Sequence, residues 1–317
     1  MTEDAARKYG EFLGERYGKL DNLLWVHVGD NDPGDKADAV RALVGGIRKH
    51  APHHLHTAHN HPEHASRARF PDDDWLDVNL AYTYKESYLQ VAEEWRRPNR
   101  PRPIILGETG YEGETNPGYV VRPYDMRRQA WWAILSGASG HAIGSSPIWC
   151  FSEGWDKSLE LEGTQQASHL LQLYQSVEWW RLIPDFEQQL VTAGGGTRGN
   201  RDYVAAARAD DASFAILYLP SPRELTVNVQ TLLPKAPSES DETAERSPEQ
   251  SVYLWWFNPR NGQSYGNDGQ RAAGPAGELA LSRNRATPPS KGTEDDWVQL
   301  LSRSKLLFTT PGGDIAE

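Results

Sequence analysis

Cysteine is almost absent. Cys150 stands alone among 317 residues, so the chain closes no internal disulfide and builds no Cys-based metal centre, and the redox compartment leaves no mark on it. Long apolar runs are missing as well. No stretch approaches the ~18 consecutive apolar residues that a membrane-crossing helix requires, so no membrane partner is expected. Met1 to Gly10 holds no apolar signal-peptide core, so secretion or periplasmic export is expected only with an upstream segment. Positive charge is in deficit. Lys and Arg number 33 against 44 Asp and Glu, a net charge of -11, which repels a phosphate backbone and argues against a nucleic-acid partner. Tryptophan, by contrast, is abundant. Trp 12 exceeds Phe 7, and Tyr adds 13 more rings, apolar plates with a polar tip that suit sugar faces and ordinary cores alike.

Up to about Asp185, strand-like and helix-like segments alternate, the pattern of parallel βαβ units. Asn22 to Asp30 reads as a first strand, closed by the turn-rich Asn31-Asp32-Pro33-Gly34-Asp35. Asp35 is the expected N-cap of a helix with Ala37, Val40, Leu43, Val44 and Ile47 on one face. His53 to His59 makes a second strand, and Leu76 to Tyr84 a third by its period of two. After a helix over Glu86 to Arg97, Arg102 to Glu108 is the fourth; after another over Tyr124 to Ser139, His141 to Phe151 is the fifth. A closing helix places Ala167, Leu170, Leu171, Tyr174 and Val177 on one stripe and ends at Pro184. Residues 1 to 21 form a helical lead-in with Tyr9, Phe12, Leu13 and Tyr17 at helical spacing.

After Gly194-Gly195-Gly196 short strands take over: Tyr203 to Arg208, Ser213 to Leu219, Leu225 to Gln230, Val252 to Phe257 and Trp297 to Leu301. They predict a small all-β sandwich. Pro234 to Gln250 is Ser, Glu and Pro rich and reads as a mobile, disordered insertion. Five strand-helix units are too few for an eight-stranded barrel, but their order and spacing are those of its second half. The expected architecture is therefore α/β: strands four to eight of a (β/α)8 TIM barrel over 1–185, with three strands missing, then a β-sandwich over 186–317. An unpaired edge strand invites association, so a fragment, or a barrel completed by another chain, is the simplest expectation; oligomeric state stays open.

In parallel barrels the chemistry sits where strands end. Asp30 and Glu108 both end apolar strands, and glycosidic cleavage needs such a pair, one group protonating the leaving oxygen while the other attacks or activates water. The competing reading of Asp30 is a turn former in Gly-Asp-Asn-Asp-Pro; Glu108, meeting Thr109-Gly110-Tyr111-Glu112-Gly113, is harder to explain by packing. Asp32, Glu112 and Glu114 are alternative partners. Seven of ten histidines fall between His50 and His64, which raises a zinc site, but none of the established short ligand spacings is present; no metal and no cofactor is expected. The His59-Asn60-His61 triplet lacks the wider motif of a His-Asn-His nuclease. His59 and His61 read better as donors to sugar hydroxyls, with Tyr84, Tyr111 and Trp149 as further sugar contacts, Trp155 beside them, and Trp131, Trp132, Trp179 and Trp180 as packing.

Three segments carry a resemblance: Trp25-Val26-His27-Val28-Gly29-Asp30-Asn31-Asp32-Pro33, Leu106-Gly107-Glu108-Thr109-Gly110-Tyr111-Glu112 and Trp179-Trp180-Arg181-Leu182-Ile183-Pro184-Asp185. Together they resemble the apiosidase-like glycoside hydrolases of family 140. Trp256-Phe257-Asn258-Pro259-Arg260-Asn261-Gly262 looks like the signature of the β-sandwich that follows the barrel there, a domain that carries a collagen-binding label. The resemblance implies a catalytic Asp ending strand four and a catalytic Glu ending strand seven, here Asp30 as general acid/base and Glu108 as nucleophile. It also implies an apiose or related glycosidic bond in plant cell-wall polysaccharide as substrate. The rival expectation is an inactive or truncated carbohydrate-binding or scaffold protein; a His-rich metal hydrolase is a third.

Overall fold

The computed structural model describes residues 1–98, 101–115, 118–233, 251–290 and 292–305; the insertion expected over 234–250 lies outside them. The chain divides into two units, 1–109 with 138–142, and 110–137 with 143–317.

The first unit opens with α1 (Glu3–Tyr17), whose N-cap Thr2 accepts the Ala5 N–H and whose first turn carries Glu3 and Asp4, favourable at the positive end of the helix dipole. It packs on α2 (Ala37–His50). The packing face is not the one that carries the rings at helical spacing. Ala6, Gly10 and Gly14 are buried, while Tyr9 and Phe12 are 48% and 53% exposed. A β-carbon on Gly10 would strike the Leu43 carbonyl oxygen, and one on Gly46 the Arg7 carbonyl oxygen, so the helices meet backbone to backbone and push the larger rings outward. Nor does Asp35 cap α2. It lies in a 3-10 turn, Gly34–Lys36, and pairs with Lys36 at 2.9 Å, while Lys36 occupies the cap position without a side-chain bond to the helix N–H groups.

Five parallel strands follow in chain order. β1 (Leu24–His27) pairs β2 (Leu55–Ala58) from Leu24 opposite Leu55 to His27 opposite Ala58. β3 (Asn79–Tyr82), β4 (Ile104–Glu108) and β5 (Ala138–His141) form a second sheet, with α3 (Ser87–Trp95) between β3 and β4 in the chain. Hydroxyls bridge β2 to β3: Thr57 Oγ1 donates to the Val78 carbonyl at 2.7 Å, and Ser66 Oγ donates to Ala58 O at 2.6 Å while accepting the Leu80 N–H at 2.8 Å. The strands are shorter than their apolar patterns predict, and the fifth is displaced. It ends at His141, where it was expected to begin, because Pro147 lacks an N–H for a ladder and fixes a helical φ; Ser146–Trp149 is a helical turn instead.

In the second unit, helices α4 (Pro123–Leu135), α5 (Ser146–Trp149) and α6 (Glu162–Gln175) precede an all-antiparallel region. Its strands are β6 (Leu182–Pro184), β7 (Val191–Ala193), β8 (Ala205–Ala209), β9 (Phe214–Leu219), β10 (Leu225–Val227), β11 (Ser251–Asn258), β12 (Gln263–Tyr265), β13 (Gly277–Ala280), β14 (Arg285–Ala286) and β15 (Trp297–Ser302). A seven-stranded sheet runs β12-β11-β15-β9-β8-β6 with β13 also on β11; a smaller one runs β14-β10-β7. Leu217, Leu219, Leu254, Trp256 and Leu301 of the large sheet share a core with Val191, Leu225, Val227 and Ala286 of the small one. The opposite face lies against α4, where Trp131 stacks on Tyr218 at 6.0 Å. Burial on both faces explains why β9 and β15 are buried throughout and read as near-continuous apolar runs.

Four further expectations change here. The strand expected to reach Gln230 stops at Val227, before a 3-10 turn over Val229–Leu232. Pro184 closes the edge strand β6, where a missing N–H is tolerated, while α6 ends at Gln175. Leu171 is 55% exposed, although its neighbours Leu170 and Tyr174 are buried. Trp131 and Trp132 are fully buried on α4, but Trp180 is 66% exposed on a 3-10 turn.

Candidate active site

The C-terminal ends of the parallel strands gather the polar groups of the first unit. β1 runs out through Val28, Gly29 and Asp30, all left-handed, with φ of 77°, 84° and 65°. A β-branched residue there is strained, and such strain persists only where the surroundings hold it. Two main-chain bonds do so: the His59 N–H donates to the His27 carbonyl at 2.8 Å, and the Asp30 N–H donates to the His59 carbonyl at 3.0 Å.

His59 follows directly on β2. Its Nε2 lies 3.0 Å from Glu108 Oε2, the two side chains being 16% and 12% exposed. The contact has the distance of an ion pair but lies off the line of a directed hydrogen bond. Glu108, the last residue of β4, stands opposite Tyr82, and its carbonyl accepts the Thr83 N–H at 3.2 Å. The Tyr82 ring lies 5.0 Å from that of His59, and its hydroxyl donates to the Tyr84 hydroxyl at 3.2 Å. Burial first, then the Tyr84 bond, then the Glu108 charge and more weakly the Asp30 charge hold the Tyr82 phenol well above its usual range. The Tyr82 hydroxyl thus lies within the field of both carboxylates.

The His61 ring lies tilted by 47° against that of His64 with ring centres 4.0 Å apart, and reaches within 3.8 Å of Asp32. Asp32 accepts the Gly34 N–H and is gripped by Arg69, which together hold its carboxyl below the ordinary range. Asn60 ties the same loop down through the Ala65 and Ser66 carbonyls. Glu112 and Glu114, in the second unit, serve the backbone. Glu112 accepts the Gly163 N–H at the start of α6, its carboxyl raised chiefly by burial, and Glu114 accepts the Tyr111 N–H. Tyr111 and Trp149 also belong to that unit; the Tyr111 ring packs over Gly144, and Trp149 is 65% exposed. Trp155 meets Phe151 edge-on at 5.2 Å.

The histidines of β1 and β2 face one another. His27 Nε2 and His56 Nδ1 are 2.9 Å apart, and the Trp25 indole donates to His54 Nδ1. Among the described residues, no three His, Cys, Asp or Glu side chains group as metal ligands, and no helix is long and apolar enough to cross a membrane. Two strand-end residues escaped the sequence analysis. Tyr82 was counted only as a member of an alternating strand. His141 was set at the start of the fifth strand, whereas it ends β5 opposite Leu106, two residues before Glu108. Its Nε2 is buried without a partner among the described residues, and burial lowers its pKa to about 4. Placing Pro147 in a turn would have moved that strand back and exposed His141 as a strand end.

The mixed α/β fold is shared with solved structures described as glycoside hydrolases. A solved structure described as a glycoside hydrolase superposes with a TM-score of 0.78 at 21% identity, covering 95% of this chain and 69% of that one. A family 5 glycoside hydrolase from Bacteroides vulgatus superposes with a TM-score of 0.78 at 22% identity, covering 95% and 67%. The family described as "Apiosidase-like, catalytic domain" matches residues 1–181, and the chain belongs to it. A search of curated proteins finds no match.

Proposed function

We propose that the chain is a glycosidase acting on an apiosyl or related glycosidic bond of plant cell-wall polysaccharide, in the manner of family 140, with Asp30 as general acid/base and Glu108 as nucleophile. In this reading β1 to β5 are strands four to eight of a (β/α)8 barrel, and the all-antiparallel region is an appended sandwich. The supporting observation is that two acidic residues 78 positions apart in sequence lie in one unit, Asp30 three residues past the end of β1 and Glu108 at the end of β4, and that His59 meets the main chain of the first and the carboxylate of the second. Glu108 attacks the anomeric carbon as Asp30 gives its proton to the leaving oxygen. Water, deprotonated by Asp30, then displaces the sugar from Glu108. His61 and Tyr84 border the same strand ends as sugar contacts; in the second unit Trp149 and Tyr111 offer rings to a glycan.

Reducing-sugar release from an apiose-containing pectin tests this reading. Glu108→Gln should abolish release and Asp30→Asn lower it by roughly 10²- to 10⁴-fold; unchanged rates remove both residues from the mechanism. The exposed Leu24, Val26 and Leu55 on one face of β1 and β2 favour a second reading, a carbohydrate-binding or scaffold protein. Saturable heat of binding to the same pectin without sugar release would select it.

A further inference from the structure

Taking Asp30 and Glu108 as the carboxylate pair of the proposed hydrolase, we infer that His59 is a positioning residue that sets the distance between them. Its main chain is fixed to β1 and to the segment that leaves it, the N–H to the His27 carbonyl and the carbonyl to the Asp30 N–H. That second bond anchors the left-handed run Val28-Gly29-Asp30, which would otherwise relax toward extended backbone. From the same residue the imidazole reaches across to β4 and meets the Glu108 carboxylate at 3.0 Å. Tyr82 confines that imidazole, its ring tilted 43° at 5.0 Å and nearly fully buried. One residue therefore holds the main chain of the proposed acid and the carboxylate of the proposed nucleophile.

The chemistry makes such a spacer consequential. A carboxyl separation of about 5 Å suits attack by the second carboxylate, whereas ~6.5 to 9.5 Å leaves room for water and inverts the centre. A displacement near 1 Å alone costs on the order of 100-fold in rate. A spacer acts on the geometry of attack, so its loss lowers kcat; a sugar contact would raise KM. The two roles separate cleanly.

The first test needs no substrate. Ring ¹⁵N spectra of the intact protein, with His59 assigned through His59→Gln, are compared between wild type and Glu108→Gln. Movement of the His59 ring signals is the expected result, and unmoved signals overturn the inference. Should Glu108→Gln fail to fold, Glu108→Asp withdraws the carboxylate by one methylene and gives the same readout. The second test is the hydrolysis of 4-nitrophenyl apioside. His59→Ala should lower kcat on the order of 100-fold with KM little changed, and His59→Gln should recover part of it. A change confined to KM overturns the spacer. Moved ring signals in a wild type that releases sugar from neither the apioside nor the pectin would leave the contact of His59 with Glu108 standing and remove the hydrolase reading.

Discussion

His27 and His56 face each other across β1 and β2 with their rings stacked at 5.2 Å, and each is nearly or wholly buried. Burial lowers the His27 pKa to about 4; burial, then the charge of His27, lowers that of His56 to about 3. The unfolded chain takes up these protons near pH 6.5, well before the folded one does. Stability is therefore complete above pH 6.5 and lost as pH falls from there toward 4 and 3, the window in which the unfolded state binds more protons. At ~1.4 kcal/mol per pH unit, His27 alone accounts for roughly 3 kcal/mol across its window, and His141 adds in the same direction. Urea midpoints measured from pH 7 to 4 should fall steadily, and His56→Gln should flatten the slope. A midpoint unchanged between pH 7 and 5 would show that these rings are hydrated in solution.

The two opening helices show how element packing departs from amphipathic pattern. Alanine is the better helix former than glycine by about 1 kcal/mol, so Gly10→Ala would stabilise α1 in isolation. In the folded unit the new β-carbon meets a carbonyl oxygen of α2, and backbone cannot rotate aside as a side chain can. Overpacking of this kind costs about 1–3 kcal/mol; we expect thermal unfolding of Gly10→Ala to come earlier by about 2–8 °C, whereas Tyr9→Ser, on the exposed face, leaves it nearly unchanged. A stabilised Gly10→Ala would refute the close approach. The aromatic spacing of Tyr9, Phe12 and Tyr17 announced a helix but not its buried side, because approach distance depends on what the partner helix offers. Strands were more legible. Apolar runs marked β9, β11 and β15, alternation marked β3, and the rule that chemistry gathers at strand ends singled out Asp30, His59 and Glu108. What sequence withheld was the last residue of two strands: the turn at Pro147 hid His141, and burial hid Tyr82 among core positions.

Across the whole chain, proximity in sequence and membership of a unit part company. The segment holding α4 follows β4 and precedes β5, both in the first unit, yet α4 is built into the second. A buried charge cluster explains its place. Arg127 on α4 donates to Asp296 through Nε at 3.0 Å and a terminal nitrogen at 2.8 Å, a pair 169 residues apart with Asp296 wholly buried. The Tyr218 hydroxyl donates to the same carboxylate at 3.0 Å, and Arg260 approaches at 3.2 Å. Desolvation cancels much of the attraction within such a cluster, but removing one partner leaves the other as an uncompensated buried charge. Asp296→Asn, which keeps the shape and discards the charge, should therefore cost about 3–5 kcal/mol in urea unfolding. Arg127→Met combined with Asp296→Leu should cost clearly less than the two single changes added together, since apolar replacements of similar volume remove both desolvation terms. A single Asp296→Asn loss below ~1 kcal/mol would mean that α4 is held by Trp131 and its aromatic neighbours alone, and that the ion pair is incidental to where the chain places this helix.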